Sequence, residues 1–165
     1  MMTSPAQKIL SRVIESGHWV ASTYIQDLSD ADLLVRSVPG ANHIAWQLGH
    51  MIAGTHKMLA MAGYPTPALP QGFAEAYTPQ TASCDDPTKF TTKAEYLALM
   101  NQAKEAALAA IETTPDADLD KPGPEAMRDY APTVGAVLML QGTHWLMHAG
   151  QFVPIRRKLG KKPIF

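Results

Sequence analysis

The chain contains a single cysteine, Cys84, so it can form no internal disulfide framework. That suits a reducing compartment, and cytoplasm is the expected location. It also lacks an excess of either charge: 14 Lys and Arg stand against 15 Asp and Glu, a formal net charge of -1 with a pI near 6.6. Such a balance leaves no electrostatic footprint for nucleic acid. The one basic cluster, Arg156-Arg157-Lys158 with Lys161-Lys162, reads as cations at a helix C-terminus. Long hydrophobic runs are missing too. The longest, residues 106–111 and 134–140, fall far short of the ~20 residues a bilayer span needs, so no membrane role is expected. The start, Met1-Met2-Thr3-Ser4-Pro5, lacks the cationic then apolar pattern of a secretory leader. No glycine-rich phosphate loop, strand-type alternation or internal repeat is present.

What remains is helical periodicity. With 165 residues and 46% hydrophobic content the chain is expected to form one domain over 1–165 around one core. Ser4-Pro5-Ala6-Gln7 combines an N-cap serine, a proline at the first helical position and a glutamine three beyond the cap, which starts a first helix over about 5–27. Its seam reads Leu10, Val13, Gly17, Val20, Tyr24. After Pro39-Gly40, Asn42 can cap a second helix through Ile44, Leu48, Met51, Ile52, Met58 and Leu59, which Gly63 and Pro65 stop. Residues 64–90 carry five prolines and form a long crossover, which lets the second and third helices run parallel. Thr92-Lys93-Ala94-Glu95 is a capping box for the third helix, with Leu97, Met100, Ala107, Leu108 and Ile111 as its stripe. Thr133 caps a fourth helix reaching about 159, with a kink expected from Pro154 just after His148. The fold class is all-α, a four-helix bundle.

The fourth helix breaks its own apolar seam. Val134, Val137 and Ile155 flank Gln141, His144, His148 and Gln151. Each unpaired buried polar group costs about 1–3 kcal/mol, so four in one seam call for a partner network or a ligand. His144 and His148, four apart, share one face and can reach one cation, given a third ligand. His50 on the second helix is the candidate third, with Gln47 one turn before it and Gly54 one turn after leaving open space. Neither 42–62 nor 133–160 contains an Asp or Glu. A site on His50, His144 and His148 is therefore uncharged, keeps an open fourth position and favours hydroxide, carboxylate or thiolate. Gln47, Gln141 and Gln151 are candidate pocket groups. The same pattern is also met by hydrogen-bonded core histidines, and that reading stays open. A metal held by free imidazoles is expected to be released as pH falls through about 6.5.

Other residues rank lower. His43 lies seven before His50, about 10 Å along the axis, and suits a helix start or pocket rim. His56 suits a surface or interhelical role. Glu15-Ser16-Gly17-His18 is one Glu-x-x-His element where a carboxylate-bridged di-iron bundle needs two, so a di-iron centre is excluded, while His18 or Glu15 can serve as an outer partner. Cys84 has no base nearby in sequence and reads as incidental. Trp46 and Trp145 read as core packing that can also rim a pocket.

Three blocks carry a family resemblance. They are Asp27-Leu28-Ser29-Asp30 leading to Pro39-Gly40-Ala41-Asn42-His43-Ile44-Ala45-Trp46-Gln47-Leu48-Gly49-His50; His144 and His148 with Ala149-Gly150-Gln151; and Arg156-Arg157-Lys158-Leu159-Gly160. In these the chain resembles the DinB-like superfamily, which includes YfiT-type proteins. The resemblance implies divalent-metal ligation by His50, His144 and His148, an up-down-down-up bundle and a homodimer. Some members are similar to thiol S-transferases and isomerases that use low-molecular-weight thiols, and the open three-imidazole site itself suits a metal-dependent transferase or hydrolase with zinc, nickel or iron as the ion. The alternative is a non-catalytic metal- or small-molecule-binding or stress-response interaction bundle. Pro154 departs from the family pattern.

Overall fold

Four long helices carry the core. The computed structural model describes residues 4–164, so Met1, Met2 and Thr3, on which the leader expectation rests, lie outside the described residues with Phe165. The long helices are α1 (Pro5–Ile25), α3 (Ile44–Met61), α5 (Lys93–Thr113) and α6 (Val134–Lys158); α2 (Asp30–Leu33) and α4 (Phe73–Ala76) are single turns. Among the described residues there is no strand, only an isolated bridge between Pro122 and Thr133. No described helix is long and apolar enough to cross a membrane.

The caps form where the sequence places most of them. Ser4 and Gln7 make the reciprocal capping box of α1, Thr92 and Glu95 that of α5, and Thr133 Oγ1 accepts from Ala136 N on α6. The cap of α3 differs: His43, not Asn42, takes the position, its Nδ1 accepting from Trp46 N at 3.0 Å. The ring's Nε2 then donates to the Cys84 carbonyl at 3.1 Å. Helix α1 ends at Ile25, two residues before the expected Asp27, which instead receives the Arg156 guanidinium.

Cross-links at the helix ends set the directions. Gln7 at the start of α1 donates to the Ile111 and Thr114 carbonyls at the end of α5, while Lys93 at the start of α5 reaches the Leu28 carbonyl, so α1 and α5 are antiparallel. Arg156 late in α6 donates to the Tyr24 carbonyl late in α1, so these two run parallel. Gln47 near the start of α3 meets His148 late in α6, and Tyr64 just beyond α3 shares a hydrogen bond with Thr114 just beyond α5. The order is up-down-down-up, with the residue 64–90 crossover making α3 and α5 parallel.

Helices α1 and α6 touch backbone to backbone. A Cβ on Gly17 would stand 2.4 Å from the Gly142 carbonyl oxygen, and one on Gly142 would stand 2.3 Å from that of Val13. Only glycine permits this approach. The buried face of α1 is Ile14, Gly17, His18, Ala21 and Ile25, rotated from the expected seam, whose other members Leu10, Val13, Val20 and Tyr24 are half-buried. On α5, Leu97 is exposed, and Tyr96, Met100, Ala103, Ala107, Ala110 and Ile111 face inward. Helix α6 runs unbroken through Pro154, which is exposed, so the freed Gly150 carbonyl lies toward solvent.

Candidate metal centre

Where α3 and α6 cross, one histidine of α3 meets two of α6. The ring centroids of His50 and His144 are 5.5 Å apart, those of His50 and His148 5.3 Å, and those of His144 and His148 4.7 Å. Each residue offers one nitrogen to a set whose members all lie within 4.8 Å of one another. Modest ring rotation brings such a set onto one ion. Gly54 lies beside the His144 ring, but a Cβ there would make only ordinary contact, 3.6 Å from its Cε1, so the expected open space does not depend on the glycine.

Two of the rings are oriented from behind. Gln47 donates its Nε2 to the Asn42 carbonyl at 2.9 Å, which turns its Oε1 toward His148 Nδ1, also at 2.9 Å. His148 therefore carries its proton on Nδ1 and keeps the Nε2 lone pair free, as an imidazole ligand requires. The Tyr77 carbonyl hydrogen-bonds His50, and Trp46 stacks on the His50 ring at 4.9 Å with 9° between planes. His144 has no such support. Its Nδ1 is buried without a partner, a cost that an ion at the centre would relieve.

The electrostatics keep the rings unprotonated. Burial, then the neighbouring His50, lowers the His144 pKa to about 4; burial, then His144 and His50, lowers that of His148 to about 3. Burial lowers His50 as well, against the Tyr77 carbonyl, which raises it. Near neutral pH all three present neutral nitrogens, the donor set a borderline divalent cation takes.

The remaining candidates separate. Gln47 is an orienting group behind His148, not a wall of the cavity. Gln141 is buried, its Nε2 donating to the Val137 carbonyl and its Oε1 without a partner. Gln151 is exposed, because it lies just outside the edge of the single buried stripe of α6 that runs through Trp145, His148, Phe152 and Ile155. His18 stacks on Trp145 at 4.2 Å, away from the cluster. His56 is buried, not at the surface. Cys84 serves the site only through its carbonyl, which receives Arg36 and His43.

Three groups escaped the sequence reading. Lys57, seven residues after His50 and so on its face of α3, lines the cavities beside the centre, and that spacing was a usable signal. Glu75 and Tyr77 come from the crossover, where no periodicity announces them. The Tyr77 ring lies against α3 so closely that a Cβ on Gly49 would fall 2.2 Å from it.

A family model for the DinB superfamily matches residues 20–152. The chain belongs to the DinB superfamily. Among solved structures, a conserved protein from Enterococcus faecalis superposes with a TM-score of 0.68 at 13% identity, covering 98% of this chain and 100% of that one. YfiT from Bacillus subtilis, described as "a probable metal-dependent hydrolase with an unusual four-helix bundle topology", superposes with a TM-score of 0.62 at 16% identity, covering 98% of this chain and 92% of that one. At these identities the likeness concerns the bundle. No curated protein sequence matches the chain.

Proposed function

We propose that this DinB-superfamily chain is a metal-dependent enzyme, a hydrolase or thiol S-transferase, with His50, His144 and His148 as the ligands of one divalent ion. The observation that carries the reading is the convergence of three imidazole nitrogens within 4.8 Å, one of them fixed as an acceptor by Gln47. The bound ion would supply Lewis acidity, lowering the pKa of a coordinated water or thiol toward neutrality. The protein's own part is positional. Gln47 holds the His148 tautomer, and the Tyr77 carbonyl and the Trp46 face hold His50. Among the described residues Glu75 is the one carboxylate lining the adjoining cavities, and it is the group available to take a proton from an incoming nucleophile. The description of YfiT supports hydrolysis; the neutral ligand set, which leaves the ion its full charge for an anionic nucleophile, supports thiol transfer. Zinc, nickel and iron all suit three imidazoles.

Elemental analysis of untagged protein tests the site, followed by comparison of zinc-loaded and chelator-treated samples on a chromogenic ester and on a thiol paired with an aryl halide. One equivalent of metal and turnover lost on chelation are expected. Failure to load any divalent ion near neutral pH overturns the proposal.

A further inference from the structure

The three-histidine centre lies on a depression with two lobes. His50, Gly54 and Lys57 line both, so the lobes share a floor along one face of α3. The first, about 400 Å³, is walled by Met58, Met61, Tyr130, Leu140 and Met147 and reaches His144. The second, about 370 Å³, lies under the crossover beside Ala74, Glu75 and Tyr77. They differ in character. The first has no carboxylate in its lining, and its rim carries large apolar side chains that are solvent-exposed: Tyr130 is 62% exposed, Met147 59% and Met61 38%. Single exposed apolar residues are ordinary, but three converging on one concavity beside a candidate metal site mark a binding surface. Three thioether side chains give that surface adaptable, polarizable walls suited to an apolar group of variable shape.

The floor shared by the lobes carries one charged side chain, Lys57, with Glu75 confined to the wall of the second lobe. Among the described residues Lys57 is the only cation lining either lobe, and the neutral histidines leave a bound divalent ion uncompensated. An anionic group is therefore drawn to the floor while the methionine lobe takes an apolar one.

We infer that the small molecule this site takes is an amphiphilic anion, its anionic head at the three-histidine centre beside Lys57 and an apolar arm of about six to eight carbon atoms in the methionine lobe. The inference rests on the proposed metal site and adds the substrate class.

Calorimetric titration of zinc-loaded protein with straight-chain carboxylates from acetate to octanoate tests it, with zinc content measured on the same samples and the matching alkylammonium ions as counter-probes. Affinity is expected to rise about threefold to fourfold per methylene, with no binding of the ammonium series. The double variant Met147→Ser/Tyr130→Ser, at two exposed positions, is expected to keep its zinc and lose most of that increment. Lys57→Gln is expected to weaken every carboxylate by a similar factor, about threefold to tenfold, and to leave the increment unchanged. Stoichiometric zinc with no chain-length dependence, or alkylammonium ions binding as well as carboxylates, overturns the inference and leaves the metal reading standing. Zinc absent under all loading conditions overturns the metal reading and this inference with it.

Discussion

His18 and His148 are matched in nearly every property usually taken to mark a functional histidine. They are 6% and 7% exposed, and each has its pKa lowered to about 3 with burial as the first cause. Their neighbours differ. Beside His18 stand the Trp145 ring and the Lys104 ammonium, a π face and a positive charge, and its Nε2 is left without a partner. Beside His148 stand two further imidazoles, with Gln47 behind it to fix which nitrogen holds the proton. Burial and a lowered pKa thus identify a neutral imidazole. Only the convergence of several lone pairs makes one a candidate ligand, and a cation near His18 would be repelled by Lys104.

The largest effect should come from breaking that convergence. His148→Ala is expected to reduce zinc affinity at least a hundredfold and to abolish stoichiometric retention through a desalting column, read by elemental analysis. His18→Ala should retain one equivalent of zinc while lowering the thermal midpoint, since it removes a packed ring against Trp145 and leaves a cavity. Equal zinc loss in the two variants would erase the distinction.

Removing support from behind a ligand should do less than removing the ligand. Gln47→Leu keeps the volume close and deletes the acceptor for His148 Nδ1, so zinc affinity should fall about 10- to 100-fold with the fold intact. Competition with a chromogenic chelator measures it. A Gln47→Leu protein that binds zinc as tightly as the parent shows that His148 does not need its orientation fixed.

Proton linkage separates the two histidines in a third way. His18 has a folded pKa near 3 against about 6.5 unfolded, so between these values the unfolded chain binds the extra proton. Its contribution is fully present above pH 6.5 and is lost as pH falls below it, on the order of 1 kcal/mol per pH unit. In urea titrations of metal-free protein from pH 7 to 5, His18→Gln should show a shallower loss of stability by about that slope. For the cluster, the expectation from free imidazoles was metal release through about pH 6.5. Burial and the crowding of the rings move that threshold down, since His144 and His148 stay neutral to about 4 and about 3. Three unperturbed imidazoles would lose about a thousandfold in affinity between pH 7.5 and 5.5. The folded site should lose less than about tenfold, and a thousandfold loss by chelator competition would refute the lowered values.

The parts of this molecule legible in the sequence were those governed by local rules. Ser4, Thr92 and Thr133 cap helices because a side-chain oxygen reaches a nearby amide, and the four-residue spacing of His144 and His148 fixes a shared face wherever the helix lies. His50 stood out as the third candidate because it lies between Gln47 and Gly54 on a helix equally free of carboxylates, and the family resemblance implied the same pairing. What stayed hidden depends on the crossover and on how helix faces turn. Tyr77 reaches His50 through a backbone carbonyl that carries no sequence signal, and it fits only because Gly49 lies beneath its ring. Likewise the buried stripe of α6 is centred on Trp145, Ala149 and Phe152, to one side of the polar seam read from the sequence, so that His144 stands at its edge and Gln151 outside it.

That edge position sets the smallest prediction, between two glutamines that look equivalent in sequence. Gln47 lies one turn before His50 and Gln151 one turn after His148, yet Gln47 is 1% exposed and bonded to His148 while Gln151 faces solvent. Gln151→Ala should therefore leave zinc affinity unchanged and move stability by no more than about 0.5 kcal/mol, as exposed helical positions do. If Gln151→Ala weakened zinc as much as Gln47→Leu, Gln151 would have to face the centre, and its place outside the buried stripe of α6 would be wrong.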